Sequence, residues 1–449
     1  MKSIASIPVF ELEFDKDAKP FNPAQLAELQ NHLRSAAVTD LIVFAHGWNN
    51  DMADARDLYT RLFTEIGKTL TGGAPQGLAG RTFAGVVTLW PSKKFTDKDL
   101  IPGGGAAALG KDELKAVRAR LKDLAKDTPR LGKSTPASAA TRKKIERATA
   151  LLANIDTNPK AQVQFVQIIR SLLSEKAAHA DDGSKNFFKA KDAQLLQDLR
   201  AEVIATRPVG GGGAADMTAL GGAAGGGGAA GLVSDLGNSV ESGIRRLLNF
   251  TTYYQMKERA GLVGAKGVAP LLAQLRKTSP KLKIHLVGHS FGGRVVTAAA
   301  DSAAPGARAN TLTLLQAAYS HNGLAPKFDG KNDGFFRKVI ADQKVAGPIV
   351  ATCTKNDKAV GIAYPLASRI SGTNAAALGD ANDPYGGIGR NGAVKTPEAV
   401  QALLQAAGQP YQLSAGHVFN LNADAVINDH SDICKPQVAW ALLSSVATT

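Results

Sequence analysis

The chain has 449 residues, 44% hydrophobic and 20% charged, which fits one large globular domain or two ordinary ones and excludes a chain disordered throughout. No charge-free run of 18 apolar residues occurs, so no transmembrane helix is expected. The formal net charge is +14, and residues 111–170, with fourteen Lys/Arg against six Asp/Glu, hold more than half of that excess.

Ile4 to Phe14 alternates apolar and polar residues and reads as an edge strand. Pro23 to Ala36 follows the helical period, with Pro23 suited to a first turn. Asp40-Leu-Ile-Val-Phe-Ala45 is a short apolar run, the pattern of a strand buried on both faces. It ends in His46-Gly-Trp-Asn-Asn50, followed by a helical pattern over Met52–Leu70 and a second buried strand, Phe83–Leu89, ending at Trp90-Pro91. From residue 92 to about 250 no convincing strand is found. Leu114–Lys126, Thr141–Asn154, Gln162–Lys176 and Lys191–Ile204 read as helices, and a further helix is expected over Val233–Asn249. Residues 210–231 contain 11 glycines in 22 positions and read as a flexible tether.

The strand–helix rhythm then resumes. Helices are expected over Gly264–Lys277, Gly292–Ala303, Gly334–Asp342, Thr396–Ala407 and Pro436–Val446, and strands over Leu282–Gly288, Thr311–Ala318, Pro348–Thr354 and His417–Asn422. Alternating units of this kind predict an α/β fold: a mostly parallel sheet with helices on both faces. The core is assigned to 1–91 and 251–449, and 92–250 to a large helical insertion.

The strongest chemical signal is Gly288-His-Ser-Phe-Gly-Gly293. It has the G-x-S-x-G spacing of a nucleophile elbow, with a buried strand before it and a small-residue helix after it. Glycines at 288 and 292 remove side chains that would collide in so tight a turn. Ser290 is the candidate nucleophile. A serine needs a base, and the base an orienting acid. His430, between the last strand and last helix, is the expected base; His321 and His417 are the other candidates. Asp357, just past the strand before it, is the expected acid, with Asp329 and Asp333 as runners-up and Asp432 read as a helix cap. The backbone N–H groups of Phe291 and Trp48 are the expected oxyanion-hole donors, Gly47 permitting close approach. His46, Gly47, His289 and Tyr253 are expected to line the substrate.

These residues resemble the α/β-hydrolase superfamily, in its serine-hydrolase branch. The strand-His-Gly loop at His46-Gly47 and the Trp90-Pro91 step resemble bacterial hydrolases with an "HGYNN"-like loop. The match covers roughly 38–91 and 255–449. The resemblance implies ester, thioester or amide hydrolysis through an acyl-enzyme on Ser290, with His430 moving the proton and Asp357 holding His430. Two departures leave the substrate open: no HGGG loop is present, and the insertion after Trp90 is unusually long.

The insertion reads either as a lid, with Tyr253-Tyr254 at its exit, or as a helical decoration. Its basic helices suit an anionic membrane surface or simply a solvated face. Arg245-Arg246 is read as solvent-facing. The glycines at 103–105 and 386–389 are read as turns, since no Lys-Ser/Thr follows them. Cys353 and Cys434 form no disulfide framework, Cys353 reading as a small core residue, and no metal-ligand spacing occurs, so no metal or cofactor is expected. The first ten residues lack the features of a secretory signal. The expectation is therefore a cytoplasmic serine hydrolase acting on a small-molecule or lipid ester, with signal-free export left open. Nucleic acid is not the expected partner. A non-catalytic binding protein docking an acidic partner through the insertion, and an acyltransferase using the same residues, are the competing readings.

Overall fold

The computed structural model describes residues 1–48, 52–92, 111–130, 133–200, 240–357, 359–360 and 383–449. The strands, in chain order, are β1 (Lys2–Ile4), β2 (Ile7–Glu13), β3 (Asp40–Ala45), β4 (Phe83–Leu89), β5 (Lys126–Arg130), β6 (Lys133–Pro136), β7 (Lys283–His289), β8 (Thr311–Leu315), β9 (Ile349–Cys353), β10 (Ala399–Leu403) and β11 (Val418–Asn422). Nine of them make one sheet in the order β1-β2-β4-β3-β7-β8-β9-β11-β10. Within this sheet, among the described residues, only the β1–β2 pairing is antiparallel. This is an α/β fold with a mostly parallel central sheet and helices around it.

The central strands are apolar throughout because both faces are covered. Every residue of β3, β4, β8 and β9 is buried. Along β3 the side chains alternate between two cores: Leu41, Val43 and Ala45 face the insertion and the elbow helix Phe291–Asp301, while Ile42 and Phe44 face the helices Met52–Gly73 and Pro436–Ala447. The register aligns Ala45 with Gly288 on one side and with Thr88 on the other. The loop at 46–48 therefore leaves the sheet beside the turn at 289–291.

Several elements differ from the sequence expectation. Residues 396–407 do not form a helix; Ala399–Leu403 is the outermost strand, laid parallel on β11. Its Ala, Gln and Leu favour a helix locally, but the free edge of β11 supplies a ladder that overrides this preference. Val400 and Leu403, 39% and 64% exposed, mark it as an edge. The segment at the N-terminus is a hairpin rather than one strand, turning at Ala5 and Ser6 with φ of 45° and 66°. Within 334–342 only Lys338–Ala341 is helical. The insertion does contain strands, the antiparallel pair β5–β6. Its helices Lys111–Leu124, Ala139–Leu151, Pro159–Arg170 and Asp192–Arg200 match the sequence reading. The glycine-rich tether over 210–231 and the turn at 103–105 lie outside the described residues.

A long helix, Val240–Leu262, runs without a break through position 250, where the core was expected to resume. Arg245 and Arg246 on it are buried rather than solvent-facing, and Arg246 Nη1 donates to the carbonyls of Leu199 and Arg200 at 2.8 and 2.9 Å. The chain continues past it into the elbow helix's flank: a Cβ on Gly264 would lie 2.1 Å from the Val295 carbonyl oxygen. Among the described residues no helix is long and apolar enough to cross a membrane.

Candidate active site

Ser290 follows directly on β7 and caps the elbow helix with φ 57° and ψ −125°. A residue with a Cβ rarely holds this conformation, so the surroundings must impose it. They do so by contact. A Cβ on Gly288 would lie 2.3 Å from the Gly292 carbonyl oxygen, and one on Gly292 would lie 1.9 Å from that of Ala45. The turn is also pinned to the next strand: Ser290 N–H donates to Leu315 at 3.1 Å, and Ala318 N–H donates to the Ser290 carbonyl at 3.0 Å.

Gly47 meets this turn from the other side. A Cβ there would be 2.7 Å from Ser290 Cβ and 3.1 Å from His289 Nδ1. His46 holds the loop in place. Its Nδ1 donates to the Gly47 carbonyl at 3.0 Å, its Nε2 accepts from Trp90 N–H at 3.2 Å, and its ring stacks on the Trp90 indole. His46 is wholly buried, and burial pushes its pKa down to about 4, against the bond to Gly47. It shapes the site through Gly47 instead of facing a ligand itself. Among the described residues neither the Trp48 nor the Phe291 backbone N–H donates a hydrogen bond within the chain. Two amides are thus left open beside Ser290.

His430 and Asp357 lie on loops beyond β11 and β9, at the same carboxyl edge. His430 Nδ1 and Asp357 Oδ2 are 2.9 Å apart. Asp357 is wholly buried, and its Oδ1 accepts from Val360 N–H at 2.9 Å. Among the described residues Nε2 of His430 makes no hydrogen bond. No hydrogen bond joins Ser290 Oγ to His430 Nε2 in this structure. His289 ties the His430 loop to the turn at Ser290: its Nε2 donates to the His430 carbonyl at 2.8 Å, and the rings lie 4.9 Å apart. Burial, then the neighbouring His430, push its pKa down to about 3, so it stays neutral.

The remaining candidates are placed elsewhere. Asp329 accepts from Lys331 and Asn332 in its own loop, and Asp333 from Lys327 N–H. His321 is buried against Gly386 and Asn391. His417 pairs with Ser414 at the start of β11. Asp432 closes its own loop by accepting from Asn428 and pairs with Lys435 instead of capping the last helix. Cys353 is a core residue whose thiol burial pushes up to about 12.

Two residues beside the site escaped the sequence reading, Gln316 and Asn356, and a third, Trp90, was singled out there without a structural role. Gln316, wholly buried at φ 46°, donates to the Gly389 carbonyl at 2.8 Å and approaches Asp357 Oδ2 at 3.4 Å. Asn356 donates to the Asp424 and Ile427 carbonyls, each at 2.9 Å, and so staples the Asp357 loop to the His430 loop. Trp90 braces His46. Asn356 carried a local signal in its place beside Asp357, and Trp90 one in the Trp90-Pro91 step; Gln316 carried none. Among the described residues no group of three His, Cys, Asp or Glu side chains could hold a metal ion. Compared with family models, curated proteins and solved structures, the chain matches none.

Proposed function

We propose that the chain is a serine hydrolase of the α/β-hydrolase type that cleaves a carboxylic ester through an acyl-enzyme. The observation that carries this reading is the Asp357–His430 hydrogen bond beside a Ser290 held in a strained turn, all on one edge of a parallel sheet. Ser290 Oγ attacks the ester carbonyl as His430 Nε2 takes its proton. The oxyanion that forms accepts from the Trp48 and Phe291 N–H groups. His430 then returns the proton to the departing alkoxide, and the same sequence with water releases the acid. Asp357 holds the Nδ1–H tautomer and stabilises the imidazolium. The rings of Trp48, Tyr253 and Phe291 beside the elbow favour an apolar ester, a lipid among the candidates.

Labelling with a fluorophosphonate tests this. Wild type is expected to label while Ser290→Ala and His430→Ala do not; a wild type that stays unlabelled with detergent or lipid vesicles present would sink the reading. A series of p-nitrophenyl esters then sets the preferred chain length.

The insertion's exposed cations support a second, compatible reading, in which this face meets an anionic membrane. Arg142, Lys143, Lys144 and Arg147 are exposed on one helix, with Lys115 and Arg118 on the helix packed against it. Reversing Lys143 and Arg147 to Glu should weaken binding to vesicles containing anionic lipid, with more salt giving the same loss.

A further inference from the structure

The two open amides beside Ser290 belong to residues whose side chains touch a single third ring. Tyr253, on the long helix, meets Trp48 edge-on, with centroids 6.1 Å apart and planes at 84°. The same ring lies 5.1 Å from Phe291, and Trp48 and Phe291 close the triangle at 6.1 Å. The three rings come from three separate segments: the loop after β3, the elbow, and the helix that leads out of the insertion. The row continues outward through Phe250, 6.2 Å from Tyr253, to Phe187 of the insertion, 4.7 Å from Phe250.

Among the described residues Trp48 is held by the contacts of its ring, half-buried against the core. His46 fixes the Gly47 carbonyl before it, and Gly47 has no side chain to anchor. Among the described residues Trp48 makes no hydrogen bond from its amide or its indole. The direction of its N–H therefore depends on how its ring packs, and the packing surface is Tyr253 with Phe291. Tyr253 in turn sits at a fixed depth. One turn further along its helix, Lys257 presents its carbonyl to Arg294 Nε at 3.0 Å, and Gly264 lies against Val295, so the helix is keyed to the elbow helix at two points below the ring.

We infer that Tyr253 is a positioning residue whose ring sets the Trp48 and Phe291 amides in the geometry that receives the oxyanion. It forms no bond to the reacting atoms. The consequence is that the oxyanion hole is completed only while the helix leaving the insertion is docked on the elbow. This rests on the serine-hydrolase reading. It differs from a role as substrate wall, because an amide misplaced by about 1 Å weakens the transition state more than the bound substrate.

The experiment compares wild type, Tyr253→Phe, Tyr253→Leu and Tyr253→Ala in the full chain. It measures p-nitrophenyl acetate turnover, chosen because its acyl group is too small to need a wall, together with the fluorophosphonate labelling rate. Tyr253→Ala and Tyr253→Leu are expected to lose about tenfold to a hundredfold in kcat with KM within about threefold, and Tyr253→Phe to recover most of that loss. Should Tyr253→Ala fail to fold, Tyr253→Leu, which fills the space without a ring, decides. A raised KM at unchanged kcat, or labelling of both variants at the wild-type rate, overturns the inference while leaving the hydrolase reading intact. An unlabelled wild type overturns both.

Discussion

At the amino end of the sheet, Asp40, His285 and Thr311 make a hydrogen-bonded line of a carboxylate, an imidazole and a hydroxyl, the same three groups as Asp357, His430 and Ser290 at the carboxyl end. His285 Nε2 lies 2.9 Å from Asp40 Oδ1 and its Nδ1 2.9 Å from Thr311 Oγ1, so this set is the more completely bonded of the two. It is nevertheless inert in its placement. All three residues lie within strands whose backbones are paired on both sides, and their exposures are 0%, 1% and 0%. Arg81 grips Asp40 as well; its Nε and Nη2 donate to both carboxylate oxygens. Burial raises the Asp40 carboxyl, but the bonds from Arg81, His285 and Thr39 outweigh it and hold the group well below the usual range. At the carboxyl end the Ser290 hydroxyl stands on a strained turn, Asp357 and His430 come from loops, and among the described residues the Trp48 and Phe291 amides make no bond within the chain. On the proposed reading, what would set Ser290 apart from Thr311 is not residue type or hydrogen bonding but release from the ladder and a place for an oxyanion.

Exchanging hydroxyls should separate the two sets most sharply. Ser290→Ala is expected to abolish fluorophosphonate labelling, whereas Thr311→Val should label at the wild-type rate and lose about 1–3 kcal/mol of stability, because a buried His285 nitrogen is left without its partner. Removing the carboxylates should divide along the same line. Asp357→Asn is expected to lower turnover about ten-thousandfold by favouring the wrong His430 tautomer, with a modest change in the unfolding midpoint. Asp40→Asn should leave labelling intact and cost about 3–5 kcal/mol in urea unfolding, since Arg81, whose partner's side chain is fully buried, loses its counter-charge. If Asp40→Asn abolishes labelling in a chain that remains folded, the amino-end set is not merely structural. Gly47→Ala tests the close approach of the loop: its Cβ would press on Ser290 Cβ, and a loss of about a hundredfold in turnover is expected. Turnover unchanged in Gly47→Ala would mean that the loop can retreat freely.

The carboxyl-end set was legible because its signals are local. The glycines at 288 and 292 exist for backbone contacts within a few residues or one strand away, and the strand-turn-helix pattern around Ser290 fixes its edge. Asp357 and His430 could be chosen because each follows a strand that had to end at that edge. What stayed hidden depends on tertiary partners. Strand β10 is held by a neighbour's free edge against its own helical preference. Gln316 carries no motif, and its role comes from a turn that brings Gly389 under its amide. The amino-end relay was invisible for the converse reason: Asp40, His285 and Thr311 are separated in sequence and joined only by parallel register.

The smallest difference between the two ends should appear in acid. His289 and His46, pushed down to about 3 and about 4 chiefly by burial, stay neutral when folded, whereas the unfolded chain protonates its histidines near 6.5. The unfolded state therefore binds more protons below that pH, and the stability these residues contribute above pH 6.5 is lost as the pH falls towards their folded values. At pH 5.5 each loses about 1.4 kcal/mol of it. His289→Gln keeps an N–H for the His430 carbonyl and removes the titration. It should narrow the gap in urea-measured stability between pH 7.5 and 5.5 by about that amount. His285 is also held low by burial, but Asp40 pulls it back up, so His285→Gln should narrow the same gap by less. Equal narrowing in the two variants would mean that the Asp40 carboxylate gives His285 no support. No narrowing in His289→Gln would mean that the ring beside the elbow takes up a proton before the fold is lost.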